Sequence, residues 1–203
     1  MLVLYSVLLV ISWLVIPTLI ATLARPPRLL GRDGFAALIG IAFWILLSLT
    51  WLPIHLGSRP WHSPWLLGLL WTALAVYAFV FVRGLEKPPA GYRPSGFGGD
   101  FLAHGILAPI DEELLFRGIL FALALPSFGP FPSVLFTSVL FTLAHEAARL
   151  GGLRRSVRET LADLSFGLVA GGIYVWTGTI LAPIAAHVLV NAWHAYSRPL
   201  ENA

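Results

Sequence analysis

The 203-residue chain is 58% hydrophobic and only 11% charged, with a mean hydropathy of +0.82. Soluble domains carry charge on about a quarter of their residues, so the composition excludes an ordinary soluble fold and fits one integral-membrane domain over residues 1–203. The absence of cysteine excludes disulfides, thiolate metal ligands and a cysteine nucleophile.

A membrane-spanning helix needs about 20 apolar residues. Leu2 to Ala24 is the first such run. It lacks a basic leading segment and is too long for a signal-peptide core, so it reads as a retained span. Arg25-Pro26-Pro27-Arg28 ends it, and Arg32 and Asp33 complete a short loop. Phe35 to about Ile54 is the second span. A polar connection, His55 to Pro64, follows, ringed by Trp51, Trp61 and Trp65 as expected of interfacial aromatics. Trp65 to Val82 is the third span, and the Pro- and Gly-rich Arg83 to Asp100 is the longest loop.

Phe101 to Leu125 is the fourth apolar run, and it contains Asp111, Glu112, Glu113 and Arg117. Pro109 predicts a break there, with a helix from about Pro109 to Leu125. Pro126 to Pro132 reads as an uncharged turn. Ser133 to Ala148 is the fifth span, Arg149 to Glu159 a basic loop, and Leu161 to Trp176 a glycine-rich sixth span suited to close helix approach. Thr177 to Thr179 turns into the seventh, Ile180 to Tyr196. The expected fold is therefore all-α, a polytopic transmembrane helical bundle of about seven spans. Residues 1–98 supply N-terminal spans and a loop, and residues 99–193 form the motif-bearing core.

The charges orient this map. Alternating the loops puts eleven Arg and Lys on one side and Arg59 alone on the other, with Arg117 inside the membrane. The positive-inside rule then gives an outside N-terminus and a cytoplasmic C-terminus. Basic residues so placed set the orientation in a lipid bilayer; no nucleic-acid partner is implied.

Charges at bilayer depth cost roughly 2.5–3.5 kcal/mol each on insertion scales, so an intramembrane cluster is by default a functional site. Three pairs share one spacing: Glu113 and Arg117, Phe141 and His145, His187 and Asn191 are each four apart. Residues four apart share a helix face. Glu112, His145 and His187 lie in three different spans, and with Asn191 they form a plausible water-activating site. A buried glutamate can act as general base, a histidine can share the proton, and a second histidine with an amide can donate to an oxyanion. Glu112, His145 and His187 could equally ligate zinc; spacing alone does not separate the two. His104, Asp111 and His194 fall near the same stripes. Asp111 also suits a helix N-terminus, His194 the cytosolic interface, Glu146 the basic loop, and His55 and His62 the opposite surface. A scaffold role and a proton-coupled carrier are the non-hydrolytic readings, the carrier weakened by the lack of an internal repeat.

Glu112-Glu113-x-x-x-Arg117, Phe141-x-x-x-His145 and His187-x-x-x-Asn191 resemble, in order, the three motifs of the CPBP family, which comprises the CAAX prenyl endopeptidases and the bacterial ABI proteins. The resemblance covers roughly Gly99 to Trp193. It implies an intramembrane endopeptidase in which Glu112 with His145 activates water, His187 and Asn191 stabilise the oxyanion, and Glu113 and Arg117 orient the site. It favours a glutamate-dependent mechanism without cofactor over one that uses zinc. The implied substrate is a membrane-associated protein or peptide, in a bilayer expected to be a bacterial inner membrane. The family alternative is a non-enzymatic bacteriocin-immunity or membrane scaffold protein. Other intramembrane protease signatures fail: His145-Glu146 is not followed by a zinc-type second histidine, no rhomboid-type Gly-x-Ser-Gly occurs, and Phe97-Gly98-Gly99-Asp100 is not a presenilin-type Gly-x-Gly-Asp.

Overall fold

The computed structural model describes residues 2–24, 31–50, 101–148 and 157–197. The expected third span, the long loop before Phe101 and most of the basic loop after Ala148 lie outside the described residues, as do His55 and His62 and the side chain of His194. Among the described residues the fold is all-helical, six continuous helices without strands. We number them α1 (Leu2–Leu23), α2 (Gly31–Thr50), α3 (101–128), α4 (Pro130–Ala148), α5 (Val157–Thr177) and α6 (Leu181–Ser197). By length and composition, α1 and α5 can each cross a membrane.

The apolar patterning explains their positions. On α1 the buried residues are Ser6, Val10, Pro17 and Ala21, a single narrow stripe. Val3, Leu4, Leu8, Ile11, Val15 and Leu19 are exposed around it, a face suited to lipid. α3 is the reverse case. Leu115, Phe116, Ile119 and Leu120 are fully buried on successive sides of the helix, together with Glu113 and Arg117. A helix buried all round belongs at the centre of the bundle. It packs on α2, α4 and α6; the Trp13 side chain of α1 reaches it, and its own Arg117 reaches a backbone carbonyl of α5.

Two boundaries differ from expectation. Pro109 does not break α3. The helix runs through it with helical dihedrals at Leu107 and Leu114, and seven-residue π-helical stretches, Phe101–Leu107 and Leu114–Leu120, flank Ala108–Glu113. Proline removes one N–H and crowds the carbonyl four residues back; the wider turn ahead of Pro109 accommodates both. The expected turn from Pro126 to Pro132 shrinks to Gly129, whose φ of 76° ends α3. Ser133 then donates its backbone N–H (3.2 Å) and its hydroxyl (2.6 Å) to the Gly129 carbonyl, starting α4 directly.

The α1–α2 pair is attached to α3 through Asp111. Trp13 Nε1 donates to Asp111 Oδ2 at 2.7 Å and Trp44 Nε1 to Oδ1 at 2.9 Å. Gly40 leaves the room: a Cβ there would collide with the Asp111 carboxylate.

Candidate active site

Glu113 and Arg117, one α3 turn apart and wholly buried, pair through Arg117 Nη1 and Glu113 Oε1 at 2.9 Å. Arg117 Nη2 donates to the Gly167 carbonyl of α5 at 3.1 Å. The rings of Phe141 and Phe166 flank the guanidinium, with centroids at 5.0 and 5.9 Å. A buried charge is tolerable only with such partners, and guanidinium stacks well on aromatic faces.

Gly167 is reachable because α4 and α5 approach closely. A Cβ on Gly167 would lie 2.9 Å from Ser138 Cβ, and one on Gly171 would lie 2.7 Å from Val134 Cγ1. Glycines one turn apart permit this proximity. The hydroxyls on the facing stripe return to their own helix: Ser138 to the Val134 carbonyl (2.7 Å) and Thr142 to the Ser138 carbonyl (2.9 Å).

Glu113 Oε1 also accepts from His187 Nδ1, on α6, at 2.9 Å. A carboxylate held in an ion pair only accepts, so His187 carries its proton on Nδ1 and turns Nε2 toward Glu112. His145 does the same by a different route. Its Nδ1 lies 3.0 Å from the Phe141 carbonyl, one turn earlier on α4, and a carbonyl also only accepts. Each imidazole packs beside a phenyl ring, His145 at 4.3 Å from Phe141 and His187 at 4.5 Å from Phe166, centroid to centroid. Both Nε2 atoms therefore aim at Glu112, and each lies 3.7 Å from Glu112 Oε2. That is beyond hydrogen-bond range and suits a bridging water. Glu112 Oε2 is buried and hydrogen-bonds to no described residue. Side-chain exposure is 13% for Glu112 and 23% for His145 but zero for Glu113 and Arg117. The first pair thus has exposed surface and the second has none.

Glu112, His145 and His187 are brought together; Asn191, one turn after His187, has one amide hydrogen engaged elsewhere. Its Nδ2 donates to the His104 carbonyl at 2.8 Å. In the π register before Pro109, that carbonyl faces a nitrogen without hydrogen, and the amide of α6 supplies the missing donor. His104 Nε2 lies 3.5 Å from Asp33 Oδ2 at the start of α2. Glu146 accepts from Thr160 Oγ1 at 2.7 Å, joining α4 to α5.

Sequence reasoning missed Phe166, Gly167, Trp13 and Trp44. Phe166-Gly167 carried a signal only in its glycine; the tryptophans look like ordinary span residues. A zinc ion would draw on Glu112, His145 and His187. The chemistry proposed for the site uses side chains and water alone.

Residues 94–193 match the family model described as type II CAAX prenyl endopeptidase Rce1-like. No curated protein matches the chain, and no solved structure does.

Proposed function

Through residues 94–193 this chain belongs to the Rce1-like type II CAAX prenyl endopeptidase family, and on that premise we propose that it is an intramembrane endopeptidase in which Glu112 and His145 activate water. The family and the apolar helices point to a membrane protein. The finer reading has seven spans, an outside N-terminus, a cytoplasmic C-terminus and a site nearer the cytosolic leaflet of a bacterial inner membrane. Its substrate is a membrane-associated protein or peptide.

One observation carries the mechanism: Glu112 Oε2 sits 3.7 Å from each of two imidazole Nε2 atoms whose Nδ1 atoms are both committed elsewhere. A water among three acceptors donates its hydrogens to two of them, leaving an oxygen lone pair for the scissile carbonyl. As the O–C bond forms, one water O–H breaks and its proton passes to Glu112, shared with His145. It is returned to the leaving amine as the C–N bond breaks. The same proton, passed from Glu112 to His187 Nε2 on its way to the amine, makes His187 a donor to the oxyanion, and Glu113 at Nδ1 holds the ring in place, as the aspartate does in a serine-protease triad. The second amide hydrogen of Asn191 completes the stabilisation of the oxyanion. Arg117 fixes Glu113 from the other side. No metal enters this scheme.

The test is a comparison of membrane-protein termini in cells carrying wild-type protein or Glu112→Ala. New termini present only with the wild type are expected. Identical termini would remove the proposal.

A further inference from the structure

Asp111 is a buried carboxylate that the proposed chemistry does not use, and none of the ion pairs described above involves it. Two neutral indole N–H groups hold it, one on α1 and one on α2. Both helices precede the matched segment at residues 94–193. Asp111 is also the immediate neighbour of Glu112. Two donors from different helices, bound to the two oxygens of one carboxylate, fix the roll of α3 about its axis at that point. They do so in the stretch Ala108–Glu113, which lies between two π-helical turns and carries Glu112. Trp13 adds an edge-on contact to Phe116 (5.7 Å), and Phe116 makes one to Phe141 (5.2 Å), next to His145.

We propose that Asp111 is a positioning residue: through Trp13 and Trp44 it sets the rotation of α3 that places Glu112 between His145 and His187, so α1 and α2 belong to the hydrolytic apparatus. The turnover part of this inference rests on the endopeptidase reading; the geometric part does not. Three variants of the full chain test it. Trp13→Phe with Trp44→Phe keeps the rings and removes both donors. Gly40→Ala removes nothing, but its methyl collides with the Asp111 carboxylate. Because alanine is the better helix former, a loss in that variant does not come from a weaker α2. Asp111→Asn keeps the shape and faces one indole N–H with an amide donor.

Two readouts are taken well below the unfolding temperature. One is kcat and KM on a membrane-tethered reporter peptide. The other is cross-linking of Glu112→Cys to His187→Cys by a short thiol reagent, feasible because the native chain is cysteine-free. In the variants kcat is expected to fall about 10- to 100-fold with KM unchanged, and cross-linking yield to fall several-fold. A merely structural anchor would lower the unfolding temperature and leave both readouts alone. Unchanged cross-linking in Gly40→Ala and in the double Phe variant overturns the proposal, whatever the turnover. If even the wild type cleaves nothing, the endopeptidase reading fails, and a fall in cross-linking still supports the role of Asp111.

Discussion

Replacing Arg117 by leucine removes the cation from a pair with no exposed surface. Glu113 would then keep only His187 Nδ1 at 2.9 Å as a partner for a buried charge. Breaking a buried pair by removing one member costs about 3–5 kcal/mol, a large share of the roughly 5–15 kcal/mol that holds a typical protein folded. Glu113→Leu should cost a similar amount, because it strands the guanidinium against one carbonyl and two rings. The double variant strands no charge. It leaves His187 Nδ1 without its acceptor, at about 1–3 kcal/mol. The pair should therefore be strongly non-additive, with a coupling of at least about 3 kcal/mol. Reversible unfolding of the four proteins in mixed detergent micelles measures this directly. The double variant should remain folded and inactive, being more stable than either single one. A double variant as unstable as the sum of the singles, or singles costing under about 1 kcal/mol, would refute the placement of this pair at the centre of the bundle.

Gly167→Ala should push α4 and α5 apart, since its methyl would meet Ser138 Cβ at 2.9 Å and Cα at 3.0 Å; a loss of about 1–3 kcal/mol is expected in the same unfolding assay, partly recovered by Ser138→Gly. The hydrogen bond from His104 holds the Asp33 carboxyl below its ordinary 3.8, against partial burial and helped by the charges of His104 and Arg32. A depressed carboxylate stabilises above 3.8 and loses that contribution as pH falls through its lower folded value. The stability gap between wild type and Asp33→Asn should thus be full above that range and close in acid. Because the pair is more than half exposed, the gap should stay below about 1 kcal/mol. Turnover measured after exhaustive treatment with a metal chelator should be unchanged; loss restored by zinc would replace the metal-free scheme.

Much of the helical layout was readable from the chain, because apolar runs long enough to span are a composition signal that local context rarely overrides. The spacing of four also held its meaning for two of the three pairs. Glu113 does reach Arg117, and Phe141 does lie against His145. For the third pair the spacing did not fix the partners. His187 and Asn191, one turn apart on a regular helix, meet α3 at points nine residues apart, Glu113 and the His104 carbonyl. The Asp111 anchor was illegible for another reason. Its donors come from Trp13 and Trp44, 98 and 67 positions away, and nothing local distinguishes a tryptophan that donates to a carboxylate from one that merely packs. Gly40 and Gly167 were similarly mute, since their value lies in a neighbour's side chain that only the packed structure supplies.

The most direct measurement is single-turnover cleavage of a membrane-tethered peptide by purified wild-type protein and by Glu112→Gln in the same liposomes. The substitution removes the basicity of a carboxyl group whose Oε2 hydrogen-bonds to no described residue, so folding should be unaffected. Loss of a general base predicts a rate lower by about 10²- to 10⁴-fold. A Glu112→Gln protein cleaving within a few-fold of the wild type would contradict the assignment of water activation to that carboxylate.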